Sequence, residues 1–346
     1  MLTNLKNFMN AFFGSLVGII LLIGCKSANA EKMGQVLTFV PDKTQRGNVA
    51  LLDTKNSRII ELGGDGTIVW QTRFPESLKS SDWNRGADIE WLTESDTFLV
   101  AVPMAGFFEI DRSGKVLTQC DSNFISHDVD KLGDGSFIFV NGWDEKGRED
   151  PIVTFMDQNC KIIWSKKAEF FGVKEADLQP HYANDKAKLH TNSIRLLKDR
   201  SYMVSFRNYD QIVIFNEGGV IKRFKDAPGV HDPSEVFKEG DNEYFYYANR
   251  GPIQSLNKRD FSNPDSKPKI IWSGPRDRKR AWKPLRTLEK LPNGNWLVTG
   301  SKEVGQVTGD GELVWELYFP EFRHQKQKEK KSTYIFKAAF VNKSKN

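Results

Sequence analysis

Amphipathic helical periodicity is nearly absent from this sequence, which excludes a helix bundle and leaves a strand-rich chain. There is no G-x-G-x-x-G and no P-loop, so nucleotide cofactors have no support, and no ordering of Ser, His and Asp suggests a serine hydrolase. Charge of one sign is not in marked excess: 50 basic against 45 acidic residues give a net +5, too little to indicate nucleic acid as a partner. Part of that excess is local, in Arg323 to Lys331, which reads as a solvated loop. Low hydrophobicity is absent too. With 39% hydrophobic and 12% aromatic residues in 346, most of the chain has the means to bury a core.

The N-terminus reads as an export signal covering residues 1–24. Met1 to Asn7 is polar and carries Lys6, and Ala11 to Gly24 is an almost unbroken apolar stretch, short for a bilayer span. Leu22-Ile23-Gly24-Cys25 resembles a bacterial lipobox, in which Cys25 is lipidated and the mature protein is anchored to a membrane from the periplasm. Ala28-Asn29-Ala30 offers a competing, simple cleavage site. Either route leads to an oxidising compartment, where Cys120 and Cys160 pair or remain buried thiols; nothing in their spacing decides. Residues 25–44 read as a linker that can also offer a closing strand.

Two elements alternate along the rest of the chain with a period of roughly 40 to 60 residues, the size of a four-stranded blade. One is a turn followed by an apolar strand that often ends in Trp: Gly66 to Trp70, Gly114 to Thr118, Cys160 to Trp164, Gly219 to Lys222, Pro268 to Trp272 and Gly311 to Trp315. The other is a hairpin whose first strand is polar or led by His, as in Asp88 to Leu92, His127 to Leu132, His190 to Leu196, His231 to Val236 and Thr287 to Leu291. Gly133-Asp134-Gly135 and Pro292-Asn293-Gly294 are hairpin turns, because Gly and Asn accept positive φ. The expected fold is all-β, a six-bladed β-propeller over residues 45–342, with Tyr334 to Val341 available as a closing strand. Lys166 to Leu189 breaks the period and is expected to form a loop or short helix on one face.

The five histidines are His127, His181, His190, His231 and His324, and three of them open successive repeat hairpins. The first strand of every blade lines the central channel, so His127, His190 and His231 are expected to converge on one site. Arg207 follows the second strand of the third of these hairpins and belongs beside His190, while Arg85 and Arg286 add charge near the same mouth. Imidazoles with a guanidinium suggest an anion. Zinc also takes three His, and Asp128 and Asp232 follow two of them, but successive strand residues point to opposite faces, so these carboxylates are expected to turn away and no metal is expected.

His190-Thr191-Asn192-Ser193, then Ser205-Phe206-Arg207-Asn208 one hairpin later, then His231 in the next blade, with Ser126-His127-Asp128 before them, resemble the bacterial arylsulfate sulfotransferase family over about residues 45 to 342. The resemblance implies transfer of a sulfuryl group from an aryl sulfate to a phenol through a sulfated histidine, without a nucleotide donor or other cofactor. It implies His231 as nucleophile and Arg207 and His127 as stabilisers of charge on the sulfuryl oxygens. His190 shares that role or moves the proton, and Asn192 and Asn208 contact the substrate. The competing class is a non-catalytic propeller lipoprotein, a scaffold or ligand binder.

Overall fold

The computed structural model describes residues 31–75, 86–141, 150–184, 189–250, 254–274, 282, 284–322 and 334–342. The export segment, Cys25, Arg85 and the basic run 323–331 lie outside them. Among the described residues the strands form six antiparallel sheets arranged as the blades of a β-propeller.

The inner strands of blades 2 to 6 are Asp88–Leu92, Val129–Lys131, Thr191–Leu196, Val230–Pro233 and Leu288–Lys290. Blade 1 takes its inner strand from the far end of the chain: Ala338–Val341 pairs with Asn48–Asp53, with Leu51 opposite Ala338. The ring is thus closed by hydrogen bonds between the two ends of the propeller. Gln35–Phe39, which the linker offered for closure, instead pairs with Leu313–Tyr318 on the outside of blade 6. The reason lies in composition: Ala338-Ala339-Phe340-Val341 is compact and wholly buried at the axis, whereas Phe39 is exposed on an outer edge.

Six apolar clusters hold the ring, each between neighbouring blades. The Trp-bearing strands are the fourth strands of their blades, outermost except in blade 6, where Gln35–Phe39 adds a fifth. Trp70 of blade 1 donates its indole N–H to Arg112 O of blade 2 at 3.0 Å, and Trp315 of blade 6 donates to Gly64 O of blade 1 at the same distance. Both indoles therefore bury ring area between blades while satisfying their one polar group. In the hairpin turns, Gly135 and Gly294 have φ of +84° and +87°, and the Asp134 and Asn293 side chains accept hydrogen bonds from the N–H two residues on.

Cys120, on the outer strand of blade 2, is disulfide-bonded to Cys160, in the turn before the outer strand of blade 3, closing a sequence separation of 40. Cross-linking that loop restricts the unfolded chain, so Cys120→Ala with Cys160→Ala should lower stability by about 3 kcal/mol. Urea unfolding monitored by tryptophan fluorescence checks this; equal midpoints for the two proteins would contradict it. The period-breaking segment before His190 contains two short 3-10 turns, Glu175–Asp177 and Pro180–Tyr182.

Candidate active site

His127 lies two residues before the inner strand of blade 3, His190 one residue before that of blade 4, and His231 within that of blade 5; all three are buried. The His127 and His190 rings are 5.6 Å apart between centroids. Phe336 joins the group, stacked on His127 at 4.7 Å and edge-on to His231 at 6.2 Å. The repeat position that gathers the histidines in the sequence therefore gathers them in space.

The motifs around them act largely as scaffolding for His231. Asn192 Nδ2 donates to Val230 O at 3.2 Å, and Ser205 Oγ donates to His231 O at 3.3 Å, so side chains of blade 4 hold the backbone that carries His231 in blade 5. Asn208 Oδ1 accepts from Arg207 Nε at 3.0 Å and aims the guanidinium. His190 itself has φ +51°, a left-handed conformation that costs a non-glycine residue about 1–3 kcal/mol. The Arg207 N–H donates to His190 O, which helps to hold that conformation. Asn192 Oδ1 and His231 Nε2 are buried and meet no hydrogen-bond partner among the described residues.

Cations are more numerous than Arg207 alone. Arg286 is buried with its guanidinium 4.3 Å from the Phe336 centroid, its Nη1 donating to Ile335 O at 3.1 Å, and Arg207 stacks over Tyr182, 4.9 Å from its ring centre. Arg250 is a third, missed in the sequence although a signal existed: it follows the second strand of blade 5, Asn242–Asn249, as Arg207 follows Tyr202–Phe206 in blade 4. Phe336 and Gly86 were missed as well. Gly86 has φ +114°, and a Cβ there would lie 2.3 Å from His127 Nδ1, the atom that faces Gly86 O at 3.1 Å, so only glycine leaves His127 its place.

Burial and these cations keep the imidazoles neutral. Burial is the larger cause in each case. His127 is lowered to about 3, against a weaker opposing hydrogen bond that its ring donates to Gly86 O and with help from Arg286 and Arg207. His190 is held well below its ordinary value, with Arg207 the largest charge acting on it, and so is His231, where Arg250, Arg286 and Arg207 follow burial. Arg286 itself is lowered to about 9 by burial, with Arg250 and Arg207 adding repulsion.

Asp128 and Asp232 do not turn away as the alternation of strand residues suggested. Asp128 lies within 2.6 Å of Lys337 Nζ and accepts from the Ile194 N–H, and Asp232 accepts from the Leu288 N–H. Alternation applies to regular strand; residues 127 and 128 precede their strand, and pairing shifts register between Val230 and Pro233. Both carboxylates thus stitch one inner strand to the next while staying in the channel. Lys337 also contacts Asp88 at 3.3 Å. His181, on the turn Pro180–Tyr182, is exposed and its ring lies tilted against Tyr182 rather than joining the cluster, and His324 lies outside the described residues.

No family model and no curated protein matches the sequence. A protein of unknown function from Bacteroides caccae superimposes with a TM-score of 0.54 at 12% identity, over 86% of this chain and 99% of its own. A streptogramin B lyase superimposes with a TM-score of 0.51, also at 12% identity, over 88% of this chain and 86% of its own. At such identity the likeness is one of fold.

Proposed function

We propose that this chain is an exported sulfotransferase that moves a sulfuryl group from an aryl sulfate to a phenolic acceptor through His231. The observation that carries the reading is the buried meeting of three neutral imidazoles with guanidinium groups, in which His231 Nε2 has no hydrogen-bond partner among the described residues. An imidazole nitrogen with a free lone pair, in a positive field, suits attack on an anionic ester that a carboxylate-lined site would repel.

In the first half-reaction His231 Nε2 forms a bond to sulfur as the bond from sulfur to the aryl oxygen breaks. Arg207, Arg250 and Arg286 neutralise the sulfuryl oxygens, and the His190 ring offers an N–H donor to them, while neutral His127, whose one N–H faces Gly86 O, lines the site through its ring. The departing phenoxide takes a proton from water relayed through His190, whose ring accepts one proton as it gives up the other. In the second half-reaction the phenol oxygen attacks sulfur, the bond from sulfur to His231 breaks, and the acceptor's proton leaves to water by the same relay. No nucleotide or other cofactor enters either step. The disulfide between Cys120 and Cys160 supports an oxidising compartment, and the lipobox-like Leu22 to Cys25 supports a lipid anchor at Cys25 as the link to the membrane.

The test is turnover of a chromogenic aryl sulfate by the purified protein, dependent on added phenol; a folded protein that leaves a panel of such donors intact would favour the ligand-binding alternative. The pH dependence gives a second check. Because the pKa of His231 is depressed, the neutral nucleophile persists as pH falls past the ordinary histidine value. The kcat/KM should therefore stay within about twofold between about pH 8 and 5.5. An acid limb with a midpoint near about 6.5 would contradict the assignment.

A further inference from the structure

A chamber of about 220 Å³, with none of the imidazoles in its lining, is lined by Asp88, Glu90, Asp232 and Glu289 along with Arg195 and Lys337. Asp128 and Asp130 adjoin it, so six carboxylates stand against two cations. Oxygen atoms of Asp88, Glu90 and Asp128 lie within 4.8 Å of one another. Asp88 Oδ2 and Asp232 Oδ1 are buried and accept no hydrogen bond among the described residues, although Asp232 Oδ1 is 3.9 Å from Arg195. The Asp88 side chain is 1% exposed.

We propose that this chamber is a binding site for a hard divalent cation, calcium in preference to magnesium, ligated by Asp88, Glu90 and Asp128 with water completing the shell. An all-oxygen donor set selects hard cations over zinc or copper. Calcium bonds oxygen at about 2.3–2.6 Å, so ligands on opposite sides of it stand up to about 5 Å apart, which the present spacing meets; magnesium needs an octahedron drawn in to about 2.1 Å. The cavity also has room for several waters, each taking about 30 Å³. Lys337 and Arg195 leave negative charge in surplus, and a bound dication removes the mutual repulsion that, after burial, raises the pKa of Glu90 and Asp88. The site is separate from the proposed sulfuryl chemistry.

Trp91 also lines the chamber and supplies a reporter. Terbium titrated into the chelator-treated full-length protein should give tryptophan-sensitised emission that calcium displaces. Calorimetry should find one calcium per chain. Glu90→Gln should weaken both signals about tenfold or more, and Trp91→Phe should remove the emission while leaving the calcium heat intact. Circular dichroism confirms that each variant is folded. Absence of heat with calcium and magnesium, or calcium affinity unchanged in folded Glu90→Gln, would overturn the proposal, leaving shared protons as the charge that reconciles these carboxylates.

Discussion

Replacing His231 with Asn is expected to lower kcat with an aryl sulfate by about a thousandfold or more, because a covalent route ends when its nucleophile is removed. Asn approximates part of the imidazole's shape but offers no nitrogen lone pair to sulfur. The substitution should leave the fold intact: the backbone of His231 is held by Ser205, and its neighbour Val230 by Asn192, neither through the imidazole. Binding of inorganic sulfate should therefore survive in the variant while turnover does not, and steady-state kinetics beside calorimetry separates the two. Loss of only a few-fold would mean that another group attacks. Arg207→Gln makes a useful comparison, since removing one oxyanion partner should cost about 10²–10³ in rate and weaken sulfate binding as well.

The largest stability effect is expected at Lys337. Its ammonium is buried, 2.6 Å from Asp128 and 3.3 Å from Asp88. Burial opposes its charge, yet Asp128, Asp88 and Asp232 together hold its pKa well above the ordinary range. Asp128 in turn is lowered despite burial, chiefly by Lys337. Lys337→Met keeps the length of the side chain but strands these carboxylates without their cation, which should cost about 3–5 kcal/mol. The sign of its pH dependence follows. Without Lys337, Asp128 loses the charge that lowers it and Asp88 and Asp232, already raised by burial, rise further, so the folded variant binds more protons than the wild type and its stability falls more as pH rises through the raised values. Urea unfolding of the variant should therefore show a larger deficit at pH 8 than at pH 5. A deficit below about 1 kcal/mol at both would place the charge of Lys337 outside the energetics of the channel.

Much of this architecture was legible because a propeller writes its symmetry into the sequence. Recurrence of a turn followed by an apolar strand that often ends in Trp marked the outer strands, and a His at the head of successive hairpins marked one level of the channel; neither inference needs side-chain coordinates. Phe336 escaped because it enters from the closing strand, where it stands next to His127 in space while 209 residues separate it from that neighbour in sequence. Arg250 obeyed the same repeat logic as Arg207 and was open to discovery by it. The acidic layer was misjudged for a different reason. Strand alternation is a rule for regular backbone, and the channel residues that matter stand where the inner strands begin or bulge, so His127 and Asp128, adjacent in the chain, both serve the axis. His190, with its positive φ, belongs to the same class of departure. The candidate site positions of this molecule therefore concentrate where local sequence rules are broken by the convergence of blades.

The central claim is that His231 carries the sulfuryl group between donor and acceptor, and intact-protein mass spectrometry after brief mixing with an aryl sulfate alone tests it most directly. The account predicts a gain equal to one SO3 group, mapped to His231, labile in acid and discharged by phenol. An unmodified protein that nevertheless consumes donor, or an adduct mapped to another residue, would contradict it.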